Sequence, residues 1–363
     1  LLLHGLFRGS SLYLYSWARS GCVAPPGCTF LNFTASHDGV GLRPLEGLLP
    51  DAELALLLNG MQQFGALVSS RTKPDGSEAP YEINIGYFDA LCGTWLGRDC
   101  WQVARFLLAQ TLMLGLRGIP ALYIHSLLAT PNDYDGVERS GRARAINRRR
   151  LNIEELSENL SSDTSPQGRV FRELCRRLAI RKEQQVFHPD ARQEVIPVGE
   201  TLFAFWRYSQ DGRQRVLALH NMTDQPQDLY LDGSMDGQLT GSWQELIAGG
   251  SLEHPQLILP LAPYQVLWQS QYSGLFLIPE SRLKDDILVG NQSLTIGGSM
   301  SKSEEDKCKD PAGHWLHICN LRKEGRQQEV TELMADPGFP CQKCNAVAKC
   351  AKNLSNPTPL IKV

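Results

Sequence analysis

Apolar positions follow two different periods along the chain, and the change falls near residue 185. Before it, helical spacing of apolar side chains predicts helices, and short runs of β-forming residues predict strands between them. The predicted helices cover residues 1–19, 51–67, 101–116 and 167–185, the predicted strands cover residues 29–34 and 118–125, and a polar loop is predicted over residues 69–80. Strands that alternate with helices favour parallel pairing, so we expect an α/β fold here.

After residue 185 apolar residues recur at every second position, which is typical of half-buried strands. Two such runs flank a turn signal that contains Asp211-Gly212, and they predict a β-hairpin. The predicted strands cover residues 201–208, 214–220, 228–231, 257–261 and 265–269. We expect an antiparallel, β-sandwich-like domain over residues 186–275, a linker over residues 276–307 and a small Cys/His-rich module over residues 308–363.

The composition argues against several classes of protein. Lys and Arg total 36 against 39 Asp and Glu, so the net charge of −3 gives no general attraction to nucleic acid or anionic lipid. Apolar residues make up 42% of the chain, enough for large cores, which excludes wholesale disorder. The most apolar stretch, residues 103–129, is interrupted by Arg105, Gln110 and Arg117. We therefore expect no membrane-spanning helix and neither a nucleic-acid nor a membrane partner.

The first residues of the chain and its cysteines indicate the cellular compartment of the protein. The chain opens Leu-Leu-Leu-His-Gly, without a methionine and without the basic region and cleavage site of a signal peptide. An opening this apolar is typical of the middle of a helix and indicates the later part of a longer protein. Five cysteines are scattered over the first 300 residues, and we expect them to be reduced thiols of a cytoplasmic protein: Cys22, Cys28, Cys92, Cys100 and Cys175.

Ser36-His37-Asp38-Gly39 follows the first predicted strand. An imidazole beside a carboxylate at the end of a barrel strand suits a reaction with an oxocarbenium-like transition state, because the carboxylate favours developing positive charge. The simpler alternative is a loop Asp that caps its own turn.

Four segments resemble a known family, in order and in spacing. Residues 30–41 (FLNFTASHDGVG) resemble the region of the α-amylase superfamily in which a His-Asp pair ends the seventh barrel strand. Residues 81–84 with 87–91 resemble the acceptor loop of its sucrose phosphorylase subfamily. Residues 118–124 resemble the eighth strand, and residues 144–148 (RAINR) the sugar-binding segment behind it. The resemblance implies that residues 1–185 are the C-terminal portion of a TIM (β/α)8 barrel, followed by the superfamily's β-domain.

The resemblance also implies roles for five residues. Asp38 matches the carboxylate that stabilises the transition state, and His37 matches its hydroxyl-binding neighbour. Arg144 matches an arginine that reaches the distal glucose hydroxyls, although a solvated basic face is the alternative in so dense an arginine cluster. Tyr81 and Glu82 match the loop pair that alternates between acceptor and phosphate. The implied activity is a glycoside phosphorylase with a retaining double displacement, in which phosphate is a co-substrate and no cofactor is required.

Two departures from the sucrose-specific enzymes concern the substrate. They carry Gln where this chain has Glu82, and a different segment where it has Arg43-Pro44. Both variants resemble the branch that acts on glucosylglycerate, which we therefore expect as the first substrate, with sucrose or a sucrose phosphate second. A carboxylate at Glu82 would repel phosphate unless it is protonated or paired with a cation.

A third departure concerns catalysis. The family's nucleophile Asp and acid/base Glu lie upstream of the His-Asp strand, and only 28 residues precede residue 29. That length is too short for the six preceding strand–helix units of a barrel. We therefore expect the isolated chain to be inactive and its N-terminal half-barrel to be a missing partner.

The last 56 residues concentrate the remaining cysteines. Cys-x2-Cys and two histidines spaced i, i+3 are typical of zinc ligands, but the sequence lacks two matched pairs of ligands. An iron–sulfur cluster and plain thiols therefore remain alternatives. The candidate ligands are Cys308, His314, His317, Cys319, Cys341, Cys344 and Cys350. The tail is also compatible with a separate small protein joined to the chain. The alternative function is a non-catalytic metal-binding or partner-binding protein that carries a barrel remnant.

Overall fold

The computed structural model describes residues 1–21, 24–25, 27–230, 243–252 and 258–272, and the backbone of two short strands near the end of the chain. Contacts divide the chain into two units, Leu1–Gly290 and Asn291–Val363. In the second unit the described strands are Phe339–Pro340 and Val347–Ala348, which pair antiparallel. The other elements described below belong to the first unit.

Helices occupy most of residues 1–187. The α-helices are α1 (Leu2–Arg8), α2 (Leu12–Gly21), α3 (Asp51–Gln63), α4 (Tyr87–Ala90), α5 (Gln102–Gly115), α6 (Ile124–Leu127), α7 (Tyr134–Ser140), α8 (Ile153–Ser161) and α9 (Pro166–Glu183), with 3-10 turns at Arg43–Leu45, Ala143–Asn147 and Gln185–Phe187. The predicted helix over residues 1–19 is wrong in one respect, because it is two helices. Gly9 ends the first of them in a left-handed conformation, which glycine adopts readily.

The strands fall into a helical region and an antiparallel region. In the helical region they are β1 (Leu31–Asn32), β2 (Val40–Gly41), β3 (Leu67–Thr72), β4 (Glu78–Asn84), β5 (Gly93–Thr94), β6 (Gly97–Arg98) and β7 (Ile119–Pro120). In the antiparallel region they are β8 (Arg192–Ile196), β9 (Leu202–Tyr208), β10 (Gln214–Asn221), β11 (Gln227–Tyr230), β12 (Trp243–Glu245), β13 (Ser251–Leu252), β14 (Ile258–Leu261) and β15 (Val266–Tyr272). The structure therefore has the expected α/β character with an antiparallel sheet.

β1 and β7 pair in parallel, Leu31 opposite Ile119 and Asn32 opposite Pro120. The predicted parallel pairing of these segments is confirmed, although the paired part is only two residues long in each. Gly118 stands just before β7 with φ +123°, where an added Cβ would lie 2.6 Å from the Phe30 carbonyl oxygen. The backbone approaches so closely there that only glycine fits without a shift.

β3 and β4 form a hairpin where the sequence predicted a polar loop over residues 69–80, and β2 adds to the β4 edge. That prediction was wrong because both faces of the hairpin carry polar residues, so the apolar alternation that marks a strand is missing. Polar contacts stabilise the hairpin in place of apolar packing: Arg71 pairs with Glu46 at 2.7 Å, and Thr72 donates a hydrogen bond to Glu78 at 2.8 Å.

The antiparallel region is a six-stranded sheet in the order β13-β12-β15-β10-β9-β8. The predicted hairpin of β9 and β10 is confirmed. β11 and β14 form a separate pair, and their Leu229 and Leu259 join Trp206 and Trp243 in one apolar cluster. This pair therefore covers part of one sheet face.

α5 connects the helical region with the sheet. Its residues from Arg105 to Gly115 are all buried, and the Arg105 guanidinium donates to the Tyr264 hydroxyl at 3.0 Å. An added Cβ at Gly115 would lie 3.0 Å from the Phe205 ring. The shared core therefore joins both regions into one unit.

Two further observations concern the described residues only. None of their helices is both long and apolar enough to span a bilayer. Their cysteines, Cys28, Cys92, Cys100 and Cys175, are free thiols.

Candidate active site

The His-Asp segment forms an irregular turn between β1 and β2. The Asp38 amide donates to Ser36 Oγ at 3.2 Å, which closes the turn locally. The Asp38 side chain is about a third exposed, and its Oδ1 contacts two guanidinium groups. Asp38 therefore does not serve as the cap of its own turn, the simpler alternative for this motif.

Glu82 lies on β4 beside this turn, with only 5% of its surface exposed. Strand pairing places it opposite Gly41, and its Oε1 accepts a hydrogen bond from the Gly39 amide at 3.1 Å. An added Cβ at Gly39 would lie 2.6 Å from Glu82 Cγ, so glycine is required for this close approach. The sequence-predicted Glu82 thus reaches the same site as the His-Asp turn.

Arg144 bridges the two carboxylates. Its Nη1 lies 2.7 Å from Asp38 Oδ1, and its Nε donates to Glu82 Oε2 at 2.9 Å. The hydrogen bond to Glu82, with the negative charges of Glu82 and Asp38, raises the pKa of the Arg144 guanidinium. Arg144 is therefore a bridging cation and not simply part of a solvated basic face. It also supplies the cation that a carboxylate at Glu82 needs.

His37 and Tyr81 lie at the exposed side of this network. The His37 side chain is 69% exposed, and its Nε2 lies 3.8 Å from Asp38 Oδ1. Tyr81 is also exposed, next to Glu82, and its carbonyl accepts from the Leu42 amide at 3.0 Å. Both side chains are therefore open to a ligand from solvent.

Two residues that the sequence reasoning did not assign also reach the turn. Asn147 Nδ2 donates to the carbonyls of Ser36 at 2.6 Å and Asp38 at 3.1 Å. Arg148 Nε donates to the His37 carbonyl at 2.7 Å, and its Nη2 contacts Asp38 Oδ1 at 3.1 Å. The only sequence signal for them was their place in the 144–148 segment.

The arrangement has a definite electrostatic character. Two carboxylates and two guanidinium groups lie together and balance each other in charge. A carboxylate in the position of Asp38 would favour positive charge on a sugar ring bound next to it. The exposed hydrogen-bonding groups around it suit sugar hydroxyls.

The candidate metal ligands of the tail lie outside the described residues. They are Cys308, His314, His317, Cys319, Cys341, Cys344 and Cys350. Within the described residues, no group of three or more His, Cys, Asp or Glu side chains is placed to hold a metal ion. The zinc site stays a prediction.

Comparison with solved structures identifies the class of fold. Sucrose 6F-phosphate phosphorylase from Thermoanaerobacter thermosaccharolyticum superposes with a TM-score of 0.50 at 22% identity, over 61% of this chain and 41% of that structure. At this identity the likeness concerns the fold alone. The superposed part of the chain therefore shares part of the fold of that phosphorylase.

Comparison of sequences finds relatives among the glycoside phosphorylases. Glucosylglycerate phosphorylase of Escherichia coli K12 is 34% identical over 268 residues, covering 74% of this chain and 46% of the relative. The Spirochaeta thermophila enzyme of that name is 35% identical over 282 residues, covering 75% and 47%. Sucrose phosphorylase of Streptococcus mutans is 27% identical over 191 residues, covering 52% and 37%. No protein-family profile matches the chain.

The matched three quarters of the chain therefore resemble the glucosylglycerate and sucrose phosphorylases, with relatives of the first name at 34% and 35% identity. The chain spans about half the length of the curated relatives that it matches, 46% and 47% for these two.

Proposed function

We propose that this chain supplies the transition-state-stabilising and sugar-binding part of a glycoside phosphorylase. The observation that carries the proposal is the network in which Arg144 holds both Asp38 and Glu82, on residues that match the family's site. In the proposed reaction an Asp nucleophile attacks the anomeric carbon, the first acceptor leaves, and phosphate takes the glucosyl group with net retention. Phosphate is a co-substrate, and the phosphorylase part needs no cofactor.

The proposed roles follow from the contacts. Asp38, held in place by Arg144 and Arg148, stabilises the positive charge that develops at the anomeric carbon. His37, exposed beside it, donates a hydrogen bond to a neighbouring hydroxyl. Arg144 binds distal glucose hydroxyls, and Tyr81 and Glu82 contact the acceptor or phosphate. Because Arg144 pairs with Glu82, the Glu82 carboxylate does not face phosphate as an unpaired negative charge.

Glucosylglycerate is the substrate that the relatives favour. The three relatives of that name are 34% to 35% identical over about 74% of the chain, whereas the sucrose and sucrose 6-phosphate phosphorylases are 24% to 27% identical over shorter stretches. Sucrose and sucrose 6-phosphate are the next candidates. Arg43-Pro44, in the 3-10 turn after β2, lies close in sequence to the site and is a candidate for acceptor selection.

The proposed enzyme needs more of the barrel than these residues. Residues 1–185 would form its C-terminal portion, and β1 and β7 its seventh and eighth strands. The nucleophile and the acid/base would come from the upstream half, either on a longer chain or as a separate partner. We therefore expect residues 1–363 alone to be inactive. The free thiols of the described residues agree with a cytoplasmic enzyme.

The test is phosphorolysis of glucosylglycerate, followed as release of glucosyl phosphate. The chain alone should show no turnover, and addition of the upstream half of a glucosylglycerate phosphorylase should restore it. Asp38→Asn should then lower kcat by about 100- to 1,000-fold, because the neutral amide no longer stabilises a cationic centre. Asn152→Asp, a change of similar size at the N-cap of α8, is the matched control.

Two results would contradict the proposal. Turnover by residues 1–363 alone would overturn the need for the upstream half. A reconstituted complex that folds but cleaves none of glucosylglycerate, sucrose or sucrose 6-phosphate would favour the non-catalytic binding protein instead.

A further inference from the structure

Three consecutive backbone carbonyls of the His-Asp turn are held by side chains from one short segment. Asn147 Nδ2 donates to the Ser36 and Asp38 carbonyls, and Arg148 Nε donates to the His37 carbonyl between them. β1 ends at Asn32 and β2 begins at Val40, so the turn lies outside regular strand pairing. Its conformation therefore depends on side chains more than 100 residues away in the sequence.

Asn147 is itself firmly placed. It ends the 3-10 turn Ala143–Asn147, where only 6% of its surface is exposed. Its carbonyl accepts from the Tyr123 hydroxyl at 2.8 Å, and the neighbouring Ile146 carbonyl accepts from the Asp133 amide at 2.9 Å. Tyr123 lies three residues after the end of β7. Asn147 therefore joins the segments that follow both strands of the parallel pair.

The geometry requires a side chain with two N–H donors. A carboxamide has two such hydrogens and can satisfy both carbonyls at once, whereas a carboxylate of the same shape has none. Partly buried carbonyls that lose their donor are costly, and a carboxylate facing them adds repulsion. The requirement for two N–H donors explains why residue 147 is an asparagine, even if its side chain never contacts the substrate.

We propose that Asn147 is a positioning residue that holds the turn over residues 36–38, so that the Asp38 carboxylate meets Arg144 and Arg148. The inference depends on the proposed function only for the chemical role of Asp38. Asn147 fixes the backbone on both sides of His37, and Arg148 fixes the middle carbonyl. The Asp38 carboxylate is thereby held in its orientation before a sugar binds. Electrostatic stabilisation of a transition state requires this preorganisation.

The test compares two Asn→Asp variants of the full chain by NMR. Asn147→Asp removes the donors, whereas at Asn152 the side chain accepts hydrogen bonds from the Glu154 and Glu155 amides, a role that Asp retains. In Asn147→Asp we expect exchange of the Asp38 and Gly39 amides to be about tenfold faster. The Arg148 Nε–H signal should shift as its bond to the His37 carbonyl weakens. The amides of β9 and β10 should keep their wild-type signals in both variants.

Unchanged turn amides and an unchanged Arg148 signal in Asn147→Asp would overturn the proposal, as would equal changes in Asn152→Asp. If Asn147→Asp does not fold, Asn147→Ala decides, since it removes both N–H donors without introducing a charge. Shifted amides at residues 37–39 would then support the proposal, and unshifted amides would overturn it. None of these signals requires turnover, so failure of the phosphorylase proposal would be seen separately.

Discussion

The antiparallel sheet and the parallel pair differ in how they cover their apolar side chains. Every residue of β9 and β10 is buried, on both faces of the sheet. In the parallel pair and its flanks, Leu31 is 62% exposed and Phe33 is 56% exposed. Parallel strands usually lie buried on both faces. The central strands of the sheet are thus covered on both faces within the described residues, whereas the pair that carries the candidate site leaves apolar side chains exposed.

The same difference separates stability from chemistry. The sheet and α5 share one core, in which Phe205 packs near Gly115. The site, by contrast, is built from turns joined by polar contacts between Asp38, Glu82 and Arg144. Truncating a buried side chain of the sheet should therefore destabilise the whole first unit. Truncating an exposed side chain of the parallel pair should leave the stability nearly unchanged.

The largest expected effect comes from truncating a phenylalanine in each region. Phe205→Ala empties a fully buried position and should lower the free energy of unfolding by about 3–5 kcal/mol. Phe33→Ala removes a ring that is mostly in solvent and should cost less than about 1 kcal/mol. Urea denaturation followed by circular dichroism measures both. Equal losses would show that the parallel pair carries as much of the stability as the sheet.

The second prediction concerns His220, which is buried in β10 and stacks on Phe205 with ring centroids 5.6 Å apart. Burial, assisted by the charge of Arg177, lowers its pKa from 6.5 to about 4, although a hydrogen bond to the Phe203 carbonyl opposes the shift. Between these values the unfolded chain binds a proton that the folded chain does not. Stability is therefore fully present above pH 6.5 and is lost as the pH falls towards 4.

The expected loss is about 3 kcal/mol, since each pKa unit corresponds to about 1.4 kcal/mol. His220→Gln should remove that contribution, seen as the difference between its stability profile and that of the wild type from pH 7 to pH 4. His37→Gln makes the same replacement at an exposed ring and serves as the control. Parallel profiles for wild type and His220→Gln would show that His220 is not responsible.

The sequence predicted the elements whose own residues carry a strong period. The apolar run in α5 and the alternation in β9 and β10 are local signals, and both elements are present close to their expected bounds. The β3–β4 hairpin lacks such a signal because polar residues line both faces. Its strands are stabilised by pairing and by contacts such as Arg71 with Glu46, which periodicity does not show.

The site was predictable only in part. The resemblance pointed to Asp38, Glu82 and Arg144, and the fold brings these three together. Asn147 and Arg148 were not assigned, because a side chain that binds backbone carbonyls 109 to 111 residues away leaves no local pattern. Hydrogen bonds of this kind follow from the packing of segments after β1 and β7, which no single stretch of sequence encodes.

The smallest expected effect compares two ion pairs of similar length but different burial. Arg144 and Glu82 are 2.9 Å apart with Glu82 nearly buried, whereas Arg71 and Glu46 are 2.7 Å apart with Glu46 mostly exposed. Double-mutant cycles with Arg→Met and Glu→Gln, measured by urea unfolding, give each coupling free energy. The exposed pair should couple by less than about 0.5 kcal/mol. The pair in the site should couple more strongly, because loss of Arg144 leaves a carboxylate in a poorly solvated position. Equal coupling free energies would mean that other contacts stabilise the Glu82 carboxylate when Arg144 is removed. Arg144 would then be held in the site by Asp38 alone.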